Sequence, residues 1–460
     1  MSVIELVLKN MRQRALSTWL TLLSVVLGVG LATAVLILYR GGSVLFGQTE
    51  FGYDILMGPP KGSPLQLVMN TVYLIDQSPG VLPYAVYEDL LRNRANVKIA
   101  VPYAVGDSYK NHRIIGTLPK LFGFDDDGKP LEPERVLEYK QGLRYEIARG
   151  RVFGARKFEA LIGADVTDRT GLKMGDALQA THGLPQPGDK PDEHDVRWSV
   201  VGVLKGTNTA ADRAIFIPLT SFYAITEHGD ALRQQAALRG KIDPSTKPQG
   251  TDHDHDPEEL PYRLANDGTI ELLLPKSDWQ VSAVLVRSRG GPSALGLIYN
   301  YKVIDNRAVA VNPAMVMREF FDTFFRGSTL VLLLVALLVS IVASVGILVS
   351  IYNSVAARSR EIATLRALGA TRGRILLLIC VEAILIGLCG GIVGMALGHG
   401  LGAAGSIYLD RLLGQGFVWY AVGPEELLYL AIVVLIAGAA GLAPALKAYR
   451  VPVATNLVAA

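Results

Sequence analysis

Between Leu16 and Leu38 the chain reads LSTWLTLLSVVLGVGLATAVLIL, 23 residues without a charged side chain. As a helix this stretch is long enough to cross a hydrocarbon core of about 30 Å. Three more such runs crowd the C-terminal third: Thr329 to Tyr352, Ile375 past Gly405 (interrupted by Glu382 and His399), and Leu427 to Leu446. The centre of each lacks Lys, Arg and Asp, which would cost about 2.5–3.5 kcal/mol apiece there. Composition agrees. Half of the 460 residues are hydrophobic and 19% are charged, against about 25% charged in soluble domains; mean hydropathy is +0.31. A disordered polyelectrolyte is excluded, and a net charge of +3 gives no reason to expect a nucleic acid partner. The two cysteines, Cys380 and Cys389, both lie in an apolar run and cannot staple a secreted scaffold.

A cleavable signal peptide competes for the first run, because Lys9, Arg12 and Arg14 precede it and Ala32-Thr33-Ala34 imitates a cleavage site. The run is longer than a typical signal core and stays apolar to Leu38, which favours an anchoring helix. Basic residues set the topology. Lys9, Arg12 and Arg14 precede the first run, Arg358, Arg360, Arg366, Arg372 and Arg374 fill the loop between the second and third, and Lys447 and Arg450 follow the fourth. Four crossings put all three clusters on one side, the cytoplasmic one by the positive-inside rule. The expected fold is therefore an α-helical integral membrane protein with four transmembrane helices in one-plus-three order. A large extracytoplasmic α+β domain lies between helices 1 and 2. In detail we expect a cytoplasmic amphipathic N-terminus (1–15), helix 1 (16–38) and the outer domain (39–311). A stalk continuous with helix 2 (312–357) leads to a short cytoplasmic amphipathic helix (358–374). Helix 3 (375–407), an outer loop (408–426), helix 4 (427–446) and a cytoplasmic tail (447–460) complete the chain.

In the outer domain, Pro83 to Arg94 reads as a short amphipathic helix. Lys98–Val101, Ala160–Ile162, Trp198–Leu204, Ala214–Ile217 and Gln280–Val286 read as strands. Two polar stretches, His182 to Arg197 and His228 to Glu259, read as loops. The second contains Thr251-Asp-His-Asp-His-Asp256, where His253 and His255 offer imidazole ligands suited to zinc. His182, Asp192, Glu193, His194 and Asp195 could add to them. Calcium, or a solvated acidic loop with no metal, competes with that reading. At the exit of the domain, Asn312-Pro313 supplies a cap and a first-turn proline. Met317, Phe320, Phe321, Phe324 and Phe325 follow as an apolar stripe, with Gly327 as the weak point of a long stalk.

Catalytic motifs are missing. Gly123-Phe-Asp-Asp-Asp-Gly128-Lys129-Pro130 imitates a phosphate loop, but Pro130 replaces the Mg²⁺-binding hydroxyl and three aspartates would repel phosphate. In the third run, Gly387, Gly391, Gly394 and Gly398, with Gly390 and Gly402, form small-xxx-small faces for close helix packing, within or between protomers. Glu382 is an intramembrane acid and a functional candidate by position, although a packing or snorkelling role suits a single carboxylate better than proton relay.

After the second run, Ile362, Leu365 and Leu368 recur at helical spacing among Arg358, Glu361 and Arg366, and Gly369 ends the pattern. The segment REIATLRALGATRGRI, Arg360 to Ile375, closely resembles the loop of MacB/FtsX-type ABC transporter permeases, matching at Arg360, Glu361, Ile362, Leu365, Arg366, Ala367, Gly369, Ala370 and Ile375. Val381-Glu382-Ala383, the glycine-rich run, and Gly441-Leu-Ala-Pro444-Ala445 with Ala448, Arg450 and Pro452 also resemble that family. The resemblance weakens from about 230 to 310, where the His-Asp loop looks like an insertion. It implies a homodimer, or a heterodimer with a similar permease, in a bacterial inner membrane. It also implies a separate ABC ATPase that carries ATP and Mg²⁺, with no cofactor or catalysis on this chain. Arg358, Glu361, Arg366 and Leu368 would then be the ATPase contacts. A periplasmic adaptor, a lipoprotein or a cell-wall hydrolase is the implied outer partner. The implied role is transmission of ATP-driven motion to the outer domain, for export or extraction of a hydrophobic or peptide-like cargo. Activation of a hydrolase is the regulatory alternative, and zinc transport or sensing through the His-Asp loop is the metal-linked one.

Overall fold

The computed structural model describes residues 11–12, 15–46, 51–183, 193–225, 260–357, 362, 364, 366–367, 370–413 and 416–450. The chain divides into a helical unit, built from the residues up to Phe46 and from Phe321 onward, and a strand-rich unit between them.

Four helices make the first unit: α1 (Ala15–Phe46), α2 (Gly327–Ala357), α3 (Arg372–Leu413) and α4 (Pro424–Arg450). Among the described residues, four helical segments that overlap these helices are long and apolar enough to cross a membrane. Their directions alternate. Val25 and Val29 of α1, Ile347, Ile351 and Val355 of α2, Ile375 and Ile379 of α3 and Ala445 of α4 share one apolar cluster. Ser17 on α1 meets Ser350 on α2 at 2.7 Å between hydroxyls. The starts of α1 and α3 therefore lie beside the ends of α2 and α4. Arg12, Arg372, Arg374 and Lys447 consequently belong to one end of the bundle, and Ile37 packs on Phe417 towards the other.

The strand-rich unit holds ten strands in its main sheet among the described residues: β1 (Ile55–Gly58), β2 (Val97–Tyr109), β3 (His112–Thr117), β4 (Ile147–Gly150), β5 (Glu159–Ile162), β6 (Ala177–Thr181), β7 (Glu193–Leu204), β8 (Ile215–Pro218), β9 (Ala283–Ser288) and β10 (Val309–Val311). The long strand β2 serves two bodies. Its first half pairs β9 in an antiparallel sheet of order β10-β1-β9-β2. Its second half joins a closed ring: β2 pairs β3, β3 pairs β8, β8 pairs β5, β5 pairs β7, β7 pairs β6, and β6 returns to β2. The return is a single pair, Ser108 opposite Thr181. Along β7 burial alternates strictly: His194, Val196, Trp198 and Val200 are buried, and Asp195, Arg197 and Ser199 are exposed. That is the period-two signature of a strand with one covered face. Trp198 donates its indole N–H to Ser221 at 2.9 Å inside the core. The helix Tyr84–Arg92 presses Tyr84, Val86, Tyr87 and Leu90 onto the same core.

The segment from Pro313 to Ala357 is helical throughout. Asn312 caps it, its side-chain oxygen accepting from the Met315 N–H at 3.0 Å. It is not α-helical throughout: Phe321–Arg326 form a π-helical stretch immediately before Gly327. There Phe321 and Phe325 stack with ring centres 4.6 Å apart and planes 4° from parallel.

Burial holds the phenols of Tyr53, Tyr84, Tyr87, Tyr103 and Tyr223 above the usual tyrosine range. Each therefore favours the folded state fully below pH 10, the unfolded value, and that contribution is lost as pH rises beyond it, by up to about 1.4 kcal/mol per pH unit per group. We expect these tyrosines to ionise together with loss of the outer-domain circular dichroism in an alkaline titration of the purified chain. Reversible ionisation near pH 10 with the signal intact would contradict the burial argument.

Candidate functional site

At the basic end of the bundle, Lys447 lies 3.7 Å from the centre of the Tyr352 ring and bonds its hydroxyl. The Arg372 guanidinium sits 5.5 Å from the Tyr449 ring centre. These pairs place cation and aromatic together, as suits a membrane–water interface. The loop at this end contains the four residues expected to contact an ATPase. Arg366 is helical and half-buried, and Ile362 packs against the bundle cluster. Arg358, Glu361 and Leu368 lie outside the described residues, as do His253 and His255 of the outer domain.

Helix α3 meets two neighbours through glycine. A methyl group built on Gly387 would stand 2.7 Å from Cβ of Ala437 on α4, and one on Gly391 would stand 2.2 Å from a Leu430 methyl. Turned towards α1, a methyl on Gly394 would meet the Val26 carbonyl and Val29 Cβ at 2.8 Å. One on Gly398 would meet Thr33 Cβ at 2.5 Å and the Gly30 carbonyl at 2.9 Å. Spacing alone names these residues as packing surface but not what they pack on. Glu382, on the same helix, is 6% exposed and so faces protein rather than lipid.

A charged cluster fastens the opposite end, and the sequence reading did not single it out. Glu426 stands at the third position of α4, one side-chain oxygen accepting from the Gly423 N–H at 3.1 Å, the reach-back half of a capping box. The same oxygen lies 3.3 Å from an Arg40 nitrogen on α1, and the other lies 3.0 Å from Nε2 of His399 on α3. His399 Nδ1 is 2.6 Å from the Trp419 carbonyl, so both ring nitrogens face oxygen acceptors. Arg40 also donates to the Ala421 carbonyl. The Glu426 side chain is 1% exposed. The one available sequence signal was His399 interrupting an apolar run.

In the outer domain, an open cavity of about 570 Å³ is lined by Phe122, Leu143, Tyr139 and Tyr145, with Arg144 and Lys205 among its polar residues. Its size falls within the range of small-molecule sites. The phosphate-loop imitation is a turn on itself: Asp125 accepts from the Asp127 and Lys129 amides at 3.1 and 2.8 Å. A carboxylate thus occupies the donors a phosphate would need.

These features accord with the comparisons to known proteins. The family model described as the MacB-like periplasmic core domain matches residues 18–249, half of the chain. The FtsX-like permease C-terminal model matches residues 333–453. The chain belongs to the MacB/FtsX family of ABC transporter permeases. Members of this family work with ABC ATPases. Among curated relatives, the macrolide export ATP-binding/permease protein MacB of Burkholderia cenocepacia is 41% identical over 83 residues, 18% of this chain and 12% of that protein. Its counterpart in Chromobacterium violaceum is 36% identical over 86 residues, 19% of this chain and 13% of the relative. The ABC transporter permease YknZ of Bacillus subtilis is 42% identical over 64 residues, 14% of this chain and 16% of the relative. The aligned stretch thus spans about an eighth of the MacB relatives' length. The macrolide export and ATP binding in their names belong to those proteins.

Proposed function

We propose that this permease is a mechanical transmitter: a separate ABC ATPase docks on the loop after α2, and ATP-driven motion reaches the outer domain through the stalk. The observation that carries this reading is the helical segment Pro313–Ala357. Its 45 residues span about 67 Å at 1.5 Å per residue, roughly twice the hydrocarbon thickness. It connects the outer domain directly to the loop that carries the family-like motif. In this reading the chain is a non-catalytic subunit of the bacterial inner membrane, working as a homodimer or with a similar permease, its termini cytoplasmic. Arg358, Glu361 and Arg366 set the docking orientation and Leu368 supplies buried area. The aromatic-lined outer cavity suits a hydrophobic or peptide-like cargo, or the side chain of a periplasmic adaptor.

The test is a Glu361→Arg, Leu368→Ala double variant reconstituted with the cognate ATPase. Loss of an anchor and reversal of a charge should weaken docking by about 2 kcal/mol or more, roughly 30-fold. The variant should still insert and fold. Unchanged ATPase capture in a pull-down would refute the interface, and ATP hydrolysis by the purified chain alone would refute the passive role.

A further inference from the structure

The ring of strands in the outer domain closes at a single pair, and three metal-ligating side chains stand at that closure. Asp107 lies on β2, His182 directly follows β6, and His194 is near the start of β7. The antiparallel register that pairs Ser108 with Thr181 sets Asp107 across from His182. Both histidines fall in the alternation of a covered face, His194 buried and His182 at its exposed end. Leu178 and Ala180 lead to His182 along one strand, and Trp198 and Val196 lead to His194 along the next. Aliphatic residues would satisfy that alternation, but here the series ends in imidazoles beside a carboxylate.

We propose that Asp107, His182 and His194 form a binding site for a divalent transition cation, of which Zn²⁺ is the best-suited example. One oxygen of Asp107 lies 3.3 Å from Nε2 of His194 and 3.7 Å from Nδ1 of His182. One ligand atom from each residue fits within 4.8 Å of the others. Tetrahedral zinc, with bonds of about 2.1 Å, sets its ligand atoms about 3.4 Å apart, so small side-chain shifts bring all three into range. Two nitrogens and one carboxylate oxygen are a donor set that borderline ions such as zinc accept. Asp107 is fully buried and the His194 side chain is 1% exposed, whereas the His182 side chain is 60% exposed. The two inner ligands are therefore held by the core, and the outer one marks the entry path. The fourth position is left to water or to an added ligand. A bound cation would reinforce the junction of β2 with β6, where one backbone pair is supplemented by hydrogen bonds of the Ser108 and Thr181 hydroxyls.

This site is distinct from the His253–His255 segment, and the experiment separates the two. The purified full-length chain, stripped with chelator, is titrated with Zn²⁺ against a chromophoric competitor, and Co²⁺ is used as a spectroscopic probe. The wild type should bind one Zn²⁺ at this site and show the intense visible bands of low-coordinate Co²⁺. His182→Ala, exposed enough to spare the fold, should lose affinity by more than the 10- to 100-fold cost of removing an outer-shell partner and should lose the cobalt bands. Asp107→Asn should do the same, with circular dichroism confirming a folded domain. His253→Ala, His255→Ala together should leave both readouts intact. Wild-type affinity and cobalt bands in His182→Ala would overturn the proposal. So would loss confined to the 253/255 variant, or absence of saturable Zn²⁺ binding in the wild type.

Discussion

Gly398→Leu is expected to dissolve the contact between α1 and α3, and with it the folded helical unit. A single methyl at this position would already stand 2.5 Å from Thr33 Cβ and 2.9 Å from the Gly30 carbonyl. A backbone oxygen in a helix cannot rotate aside as a side chain can, so the helices must part. Overpacking costs about 1–3 kcal/mol where side chains can adjust; a leucine against backbone on one side should exceed that range. Parting the helices also removes the neighbouring contacts of Gly394 with Val26 and Val29. Gly400→Leu is the matched control, because nothing stands within 4 Å of a methyl there. In detergent, thermal unfolding and size-exclusion profiles should leave Gly400→Leu near wild type and show Gly398→Leu aggregated or melted. Equal stability of the two variants would show that the glycine face is not a packing surface.

The second large effect is expected at Glu426. Its carboxylate meets Arg40, His399 and the Gly423 amide at once, so Glu426→Ala strands the Arg40 guanidinium, leaves the His399 ring without its neighbour and reopens the first turn of α4. Removing one member of a buried ion pair costs about 3–5 kcal/mol. Arg40 is about a third exposed, which puts the expected loss at the lower end, about 3 kcal/mol. The Arg40→Ala, Glu426→Ala double variant should recover part of that loss, with a coupling of about 1 kcal/mol or more. Additive single effects in a melt-based cycle would mean that the cluster is merely adjacent.

The features legible in the sequence share one property: each is a pattern within a single element. Twenty apolar residues in a row have few interpretations, and so Leu16 to Leu38 and the three later runs correspond to spanning helices. Lys98–Val101, Ala160–Ile162 and Trp198–Leu204 carry β-branched and aromatic residues at strand spacing and lie within β2, β5 and β7. The Asn312 cap is a local signal and is seen as such. What escaped depends on elements distant in the chain. Nothing local links Arg40 to Glu426, because their meeting requires α1 and α4 to share an end. Asp107 was invisible beside His182 and His194 because the ring of strands, not the sequence, brings β2 to β6. The loop motif from Arg360 to Ile375 carried the family resemblance, yet its value is chemical rather than geometric: it concerns a surface offered to another protein.

The π-helical stretch at Phe321–Arg326 has a consequence for which faces the helical segment Pro313–Ala357 presents. Such a stretch acts as an inserted residue, shifting the phase of the helix's own side-chain pattern by about 100° relative to an uninterrupted α-helix. Side chains before and after this turn are therefore out of phase with a single α-helical pattern.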